Sequence, residues 1–218
     1  MTVAGRTTRV ERGGETRELI LSAAERLFAE HGVLAVSNRQ VSEAAGQGNN
    51  FAVGYHFGTK AELVRAIVRK HAEPMEELRA RMLGETGDTI RLRDWVACLV
   101  RPLTEHLAEL GNPTWYARFS AQVSTDPSLR AIMLDETLTA PTIQQALDGL
   151  KRCLPALPGQ VGAERSDMVR HVIVHTCAER ERALAEGTAT PRPTWEDTAT
   201  GLIDALTGLW LAPVTPRD

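Results

Sequence analysis

Apolar residues recur along this chain at intervals of three and four, and strict alternation is nearly absent. That is the period of a helix with one buried face, so the pattern predicts an all-α fold. Between Thr16 and His31 the residues Leu19, Ile20, Ala23, Ala24, Leu27 and Phe28 form one stripe, and Gly32 follows as a stop. Ser37-Asn38-Arg39-Gln40 has the form of a capping box, which predicts a short helix from Asn38 to about Ala45, closed by Gly46. Thr59-Lys60-Ala61-Glu62 repeats that form and opens a long helix with Leu63, Ile67, His71, Met75, Leu78 and Met82 along one side. Pro74 is expected to kink or break it, because proline removes a backbone donor and crowds the preceding turn.

Beyond Gly84 and Gly87, which mark a loop, Asp88 is the expected cap of a helix carrying Trp95, Val96, Leu99, Leu103, Leu107 and Leu110. Pro102 predicts a bend in it and Gly111 its end. Asn112-Pro113 and Asp126-Pro127 read as cap-plus-proline helix starts. The first opens a short helix with Trp115, Tyr116 and Phe119, and the second a longer one through Leu129, Met133 and, past Pro141, Ile143 to Leu154. Residues 155–162 are the clearest loop, and a helix over 163–185 follows. After a Pro-rich turn, Thr194 opens the last helix, giving about nine in all.

Composition narrows the class without naming a function. With 218 residues and 43% hydrophobic content the chain can bury a core. It lacks both the roughly 18 to 20 consecutive apolar residues of a membrane span and the apolar stretch of a secretory signal, so a cytoplasmic protein without membrane contact is expected. Cys98, Cys153 and Cys177 are odd in number and far apart, which suggests reduced core residues rather than a disulfide framework or a zinc knuckle. The first 60 residues hold seven basic against six acidic side chains, and the remainder 18 against 22, an asymmetry too weak to name a partner. Arg6, Arg9 and Arg12 precede the first stripe, where a solvated tail and a DNA-grazing arm both fit.

The stretch between the short helix and the long one is polar and small: Gln47, Gly48, Asn49 and Asn50, then Phe51 to Phe57. Two short helices joined by a turn at Gly46 fit a helix-turn-helix, whose second helix enters the major groove while the first crosses the backbone. Asparagine pairs bidentately with adenine, and small residues permit close approach to the groove floor. Gln47, Asn49, Asn50 and Val53 are therefore the candidate base readers. An ordinary turn in a helical bundle is the competing reading, Asn50 also fits a plain helix cap, and Phe51 is expected to be buried under the helix rather than to touch a thymine methyl.

Leu27-Phe28, Gly32, the segment VSEAAG over 41–46, and Tyr55-His56-Phe57 followed by Lys60 and Leu63 resemble the N-terminal domain of tetracycline-repressor (TetR) family regulators, over residues 16–66. The resemblance implies homodimers that bind palindromic double-stranded DNA operators and release them when a small-molecule effector enters the larger domain. It implies phosphate contacts for Ser37 and Gln40, with Asn38 between them in the same interface, and for Lys60. It implies a groove or backbone contact for His56, flanked by Tyr55, and a core anchor at Phe57. Against the family's commonest spacing, Gln47 or Gly48 is one residue extra, and Gly54 stands where a second aromatic is frequent.

The expected organisation is a disordered basic arm (1–15), a helix-turn-helix DNA-binding domain (16–61), a helical ligand-binding and dimerisation domain (62–212) and a tail (213–218). Trp95, Cys98, Trp115, Tyr116, Phe119 and His175 are candidate pocket residues, although aromatic stripes at helical spacing are usually core and simple packing is the favoured reading of each taken singly. Val169, Ile173, Thr176 and Arg180, with Leu202, Ile203, Leu206 and Leu209, are the expected dimer stripes. Arg118 and Arg180 fit anion anchors or dimer ion pairs. His171 and His175 share metal-ligand spacing without the glutamate of H-E-x-x-H, so no metal or other cofactor is expected. No nucleophile elbow, phosphate loop or paired-carboxylate motif points to an enzyme. The alternative function is a helical-bundle interaction protein without specific DNA binding.

Overall fold

A computed structural model of the chain describes residues 4–49 and 51–215, with side chains from residue 13 onward. Among the described residues there are ten helices: α1 (Ala4–His31), α2 (Asn38–Ala44), α3 (Ala52–Phe57), α4 (Lys60–Thr86), α5 (Leu92–Leu110), α6 (Tyr116–Thr125), α7 (Pro127–Leu138), α8 (Pro141–Cys153), α9 (Gly159–Ala185) and α10 (Trp195–Leu211). The tenth comes from Pro141, which starts α8 as a new helix, because the residue before a proline is driven to extended backbone and Ala140 has ψ 129°. Helix α1 begins at Ala4, well before the apolar stripe, and runs through Gly13 and Gly14. The side chains of Arg6, Arg9 and Arg12 lie outside those described.

Local signals set several boundaries as expected. Ser37 Oγ accepts from the Gln40 amide while Gln40 Oε1 accepts from the Ser37 amide, and Thr194 and Asp197 form the same reciprocal pair at α10. Asp126 caps α7 with Pro127 behind it. Pro74 and Pro102 lie inside helices that continue past them, so neither breaks its helix. Asp88 does not cap α5. There the Thr89 hydroxyl accepts from the Arg91 amide at 3.2 Å and donates to Asp94 at 2.8 Å.

Asn112-Pro113 is a cis peptide, and α6 starts beyond it, at Tyr116. Its cap comes from α9: the Glu181 carboxylate accepts from the Ala117 and Arg118 amides at 3.1 and 2.9 Å and from Arg118 Nε at 3.1 Å. A negative charge at the helix start meets both the free amides and the helix dipole. The opposite end of α10 is closed by a cation, as Arg165 of α9 donates to the Trp210 and Ala212 carbonyls at 2.7 and 2.6 Å.

Helix α5 runs through the larger domain, packed on α4, α8 and α10. Trp95 is its anchor. Its Nε1 donates to the Thr89 carbonyl at 3.1 Å, and its ring lies so close to Gly149 that a Cβ there would sit 2.3 Å from it. Helix α6 joins the two parts, packing on α1 and α9, with Phe28 stacked on Phe119 at 6.4 Å.

Candidate nucleic-acid interface and the domain behind it

The α2–α3 unit is built from short-range bonds. Gly46 turns the chain at φ 69°, the left-handed conformation that glycine adopts without strain. The Gln47 amide donates to the Ser42 carbonyl and its side chain to the Ala45 carbonyl, both at 3.0 Å. Asn49 Oδ1 accepts from the Phe51 amide at 2.9 Å, so Asn49 is the asparagine that shapes the entry to α3. Asn50 is outside the described residues.

Helix α3 has two unlike faces. Ala52, Val53 and Phe57 are buried, while Phe51, Gly54 and Tyr55 are exposed, Phe51 at 80% and Tyr55 at 83%. Two expectations are thereby corrected. Val53 is enclosed and out of reach of a base, because its position faces α2, where its amide meets Ser42 Oγ at 3.5 Å. Phe51 is outside rather than under the helix, because Val53 and Phe57 already fill the inner face.

Two cations fix the unit from behind. Arg17 of α1 donates to the His56 carbonyl at 3.0 Å and lies 4.2 Å above the Phe57 ring, holding the end of α3 by hydrogen bond and cation–π contact together. Lys60 Nζ donates to the Val33 and Val36 carbonyls at 3.0 and 2.5 Å, and burial lowers its pKa. Its ammonium is committed to the α1–α2 connection, with one N–H left over. Ser37 and Gln40 are exposed and Asn38 is half-buried, its Oδ1 enclosed without a partner. His56 is half-buried, its ring edge-on to Tyr55 at 5.0 Å. Sequence reasoning missed Arg17, whose partner is 39 residues away, and no local pattern announces such a contact.

Behind this unit lies a buried polar junction. Glu25 of α1, His71 of α4, His106 of α5 and Tyr116 of α6 are each at most 6% exposed. His71 Nε2 is 2.9 Å from Glu25 Oε2, its Nδ1 is 2.8 Å from His106 Nε2, and its ring stacks on Tyr116 at 3.9 Å. A carboxylate only accepts, so His71 donates from Nε2 and in its neutral form accepts at Nδ1 from His106. Burial first, then His71, lowers the His106 pKa to about 4. Nearby, Arg69 grips Glu136 of α7 through two bonds of 2.7 and 3.0 Å, and Arg65 bonds the same carboxylate. These contacts, Arg69 first, hold Glu136 below the usual carboxylate range.

The expected pocket residues are not brought together. Trp95 packs on Gly149, Tyr116 and Phe119 belong to the junction, Trp115 is half-buried ahead of α6, and His175 is exposed on α9 with its ring 6.3 Å from His171. Cys98 alone borders an open cleft of about 320 Å³ shared with Met82, Glu85, Thr86, Arg91 and Arg101. A second cavity of about 460 Å³ opens between α1, the end of α3 and the first turns of α4, lined by Arg17, His56, Arg65, Arg69 and Lys70 among others.

The expected dimer stripes are mostly spent inside the protomer. Val169, Leu202, Ile203 and Leu206 are buried because α9 packs on α6 and α10 on α5. Arg180 is buried too, donating to the Arg192 and Pro193 carbonyls and lying 5.0 Å above the Trp195 ring. Ile173 and Leu209 are half-buried and Thr176 is exposed. Met168, at 51% exposed, and Leu211, at 55%, point outward instead. Among the described residues no helix is long and apolar enough to cross a membrane.

Comparison with known proteins bears on both parts. Residues 20–67 match the domain described as bacterial regulatory proteins, tetR family, and residues 97–208 match a tetracyclin repressor-like C-terminal domain. The HTH-type transcriptional repressor AcnR of Corynebacterium efficiens is 30% identical over 167 residues, 74% of this chain and 77% of that protein. The HTH-type transcriptional regulator TtgR of Pseudomonas putida is 35% identical over 100 residues, 46% of this chain and 45% of its own. The crystal structure of PfmR, a TetR family transcriptional regulator from Thermus thermophilus, superimposes with a TM-score of 0.54 at 17% identity, covering 86% of this chain and 96% of that one.

Proposed function

Because this chain belongs to the TetR family of bacterial transcriptional regulators, we propose that it binds a palindromic operator as a homodimer and is released by a small molecule. The observation that carries the reading is the outward face of α3, held from behind by Arg17 while Lys60 ties the start of α4 to the α1–α2 connection, and left open at Phe51, Gly54 and Tyr55. A helix held this way by its own domain pays little ordering entropy when it enters a groove. Ser37 and Gln40 at the start of α2 serve the phosphates, and Tyr55 and His56 serve the groove.

Helix α4 supplies the coupling. It starts at Lys60 against the DNA-reading unit, carries His71 into the buried junction, and ends beside the open cleft at Met82, Glu85 and Thr86. The cleft's volume lies near the lower end of small-molecule sites, about 300–1,000 Å³. An effector that binds better when α4 is displaced lowers operator affinity by its preference between the two states. Dimerisation uses the outward faces of α9 and α10, around Met168, Gly208 and Leu211, rather than the residues already buried. A side chain at Gly208 meets nothing within 4 Å in the protomer, so Met168→Glu/Gly208→Glu is expected to give a folded monomer by light scattering.

The direct test is fluorescence-anisotropy titration at two salt concentrations, using DNA recovered from a random-sequence pool by the purified protein. Tight binding to the recovered sequence with a steep salt dependence, lost in Tyr55→Ala, supports the reading. Equal weak binding to every sequence refutes it in favour of a helical bundle without specific DNA binding.

A further inference from the structure

We propose that Phe51 is a specificity-determining residue that reads the C5-methyl group of a thymine in the major groove. The inference rests on the operator-binding reading above and names part of what that reading recognises. Phe51 is one of the most exposed large apolar side chains of the protein, at 80%, and the next turn of the same face carries Tyr55 at 83%. A phenyl ring in water forfeits the gain of burial, so two such rings one turn apart, at the N-cap and within a six-residue helix, mark a surface that is covered in the working state.

The neighbouring groups narrow what covers it. The Gln47 amide nitrogen and the Asn49 carbonyl oxygen are both engaged with the chain's own backbone, and Val53 is buried. Among the described residues Phe51 is thus the exposed ring without a polar atom on the face that the helix-turn-helix presents to DNA, since Tyr55 beside it carries a hydroxyl. The thymine methyl is the apolar mark on the major-groove edge, and aromatic side chains meet it by van der Waals contact. Gly54 strengthens the case. It lies on the same exposed face, and a Cβ there would meet nothing within 4 Å, so its lack of a side chain is not required by packing inside the protomer. A missing side chain beside Phe51 and Tyr55 lets the backbone approach the groove floor and brings the ring within reach of the methyl.

The experiment uses the full-length protein and a sequence recovered from a random DNA pool. Each thymine of the recovered half-site is replaced in turn by deoxyuridine, which removes only the methyl group, and affinities are measured for wild type, Phe51→Ala and Phe51→Leu. One thymine per half-site is expected to be sensitive, with wild type weakened about fourfold per half-site, the value of roughly one buried methyl. Phe51→Ala is expected to bind the thymine DNA correspondingly less well and to be indifferent to the uracil, whereas Phe51→Leu keeps part of the preference. Because the side chain is exposed, the thermal midpoint of Phe51→Ala should match wild type. An enriched sequence whose thymines are all silent, or a uracil penalty of equal size in Phe51→Ala, overturns the role of Phe51 and leaves the regulator reading standing. Self-association of wild type that disappears in Phe51→Ala assigns the ring to a contact between copies and overturns it as well. A pool with no enriched sequence overturns both readings.

Discussion

The outward face of α3 and the junction beneath it invert the usual distribution of side chains. On α3 and its N-cap two large aromatic rings face solvent, and in the junction a carboxylate, two imidazoles and a phenol are enclosed. Each inversion is tolerated for a different reason. The junction satisfies its polar atoms internally, with Glu25, His71 and His106 bonded in series, and a buried polar chain fixes one relative position of the helices that supply it. The Phe51 and Tyr55 rings are left largely in solvent by the protomer, Tyr55 meeting only the edge of His56 among the described aromatic contacts, which is tolerable for a face that meets a partner. Stability therefore concentrates in the junction and recognition on α3, and substitutions should separate the two.

The largest separation is expected from Glu25→Ala. Removing the carboxylate strands His71 in a dry site and should cost about 2–4 kcal/mol in urea unfolding, whereas Tyr55→Ala should leave the urea midpoint unchanged and abolish operator preference. Acid gives the next effect. His106 is neutral in the folded protein, with its pKa lowered to about 4 against an ordinary 6.5, so the unfolded chain binds more protons between those values. Stability from this group is complete above about pH 6.5 and declines as the pH falls towards 4. The thermal midpoint at pH 5 should lie below that at pH 7, and His106→Gln should flatten the difference.

Gly54→Ala sharpens the contrast in the opposite sense. It exchanges glycine for a better helix former with free space around it, so it should raise stability by up to about 1 kcal/mol while weakening operator binding in the anisotropy assay. Arg17→Lys should have the smallest effect, below about 1 kcal/mol in unfolding. It should still weaken DNA binding modestly, because lysine keeps the charge but not the flat guanidinium over Phe57.

Features whose causes lie within a few residues were legible in the chain: the Ser37–Gln40 box, Asp126 before Pro127, Thr194 with Asp197, and the stop at Gly111. Features set across the fold were not. The start of α6 is decided by Glu181, 64 residues away, so Asn112-Pro113 misled. Helical spacing marks a stripe as apolar but does not say which neighbour covers it, which is why Leu202, Ile203 and Leu206 read as a dimer face and are core. On the DNA side the segment was legible and its sidedness was not. Val53 and Phe51 exchange roles because the residues from Gln47 to Asn49 form a bonded turn rather than a continuation of helix.

Trp95 gives the molecule an optical property. The chain has four tryptophans, and Trp95, three residues before the Cys98 that borders the open cleft, is dry, pinned by Thr89 and overlain by Arg152 at 5.4 Å. Its emission should be blue and sensitive to any movement of that cation or of the loop that holds its Nε1. In a protein with Trp115, Trp195 and Trp210 changed to phenylalanine, a compound that settles in the cleft should announce itself by a change in fluorescence, with no knowledge of the operator required.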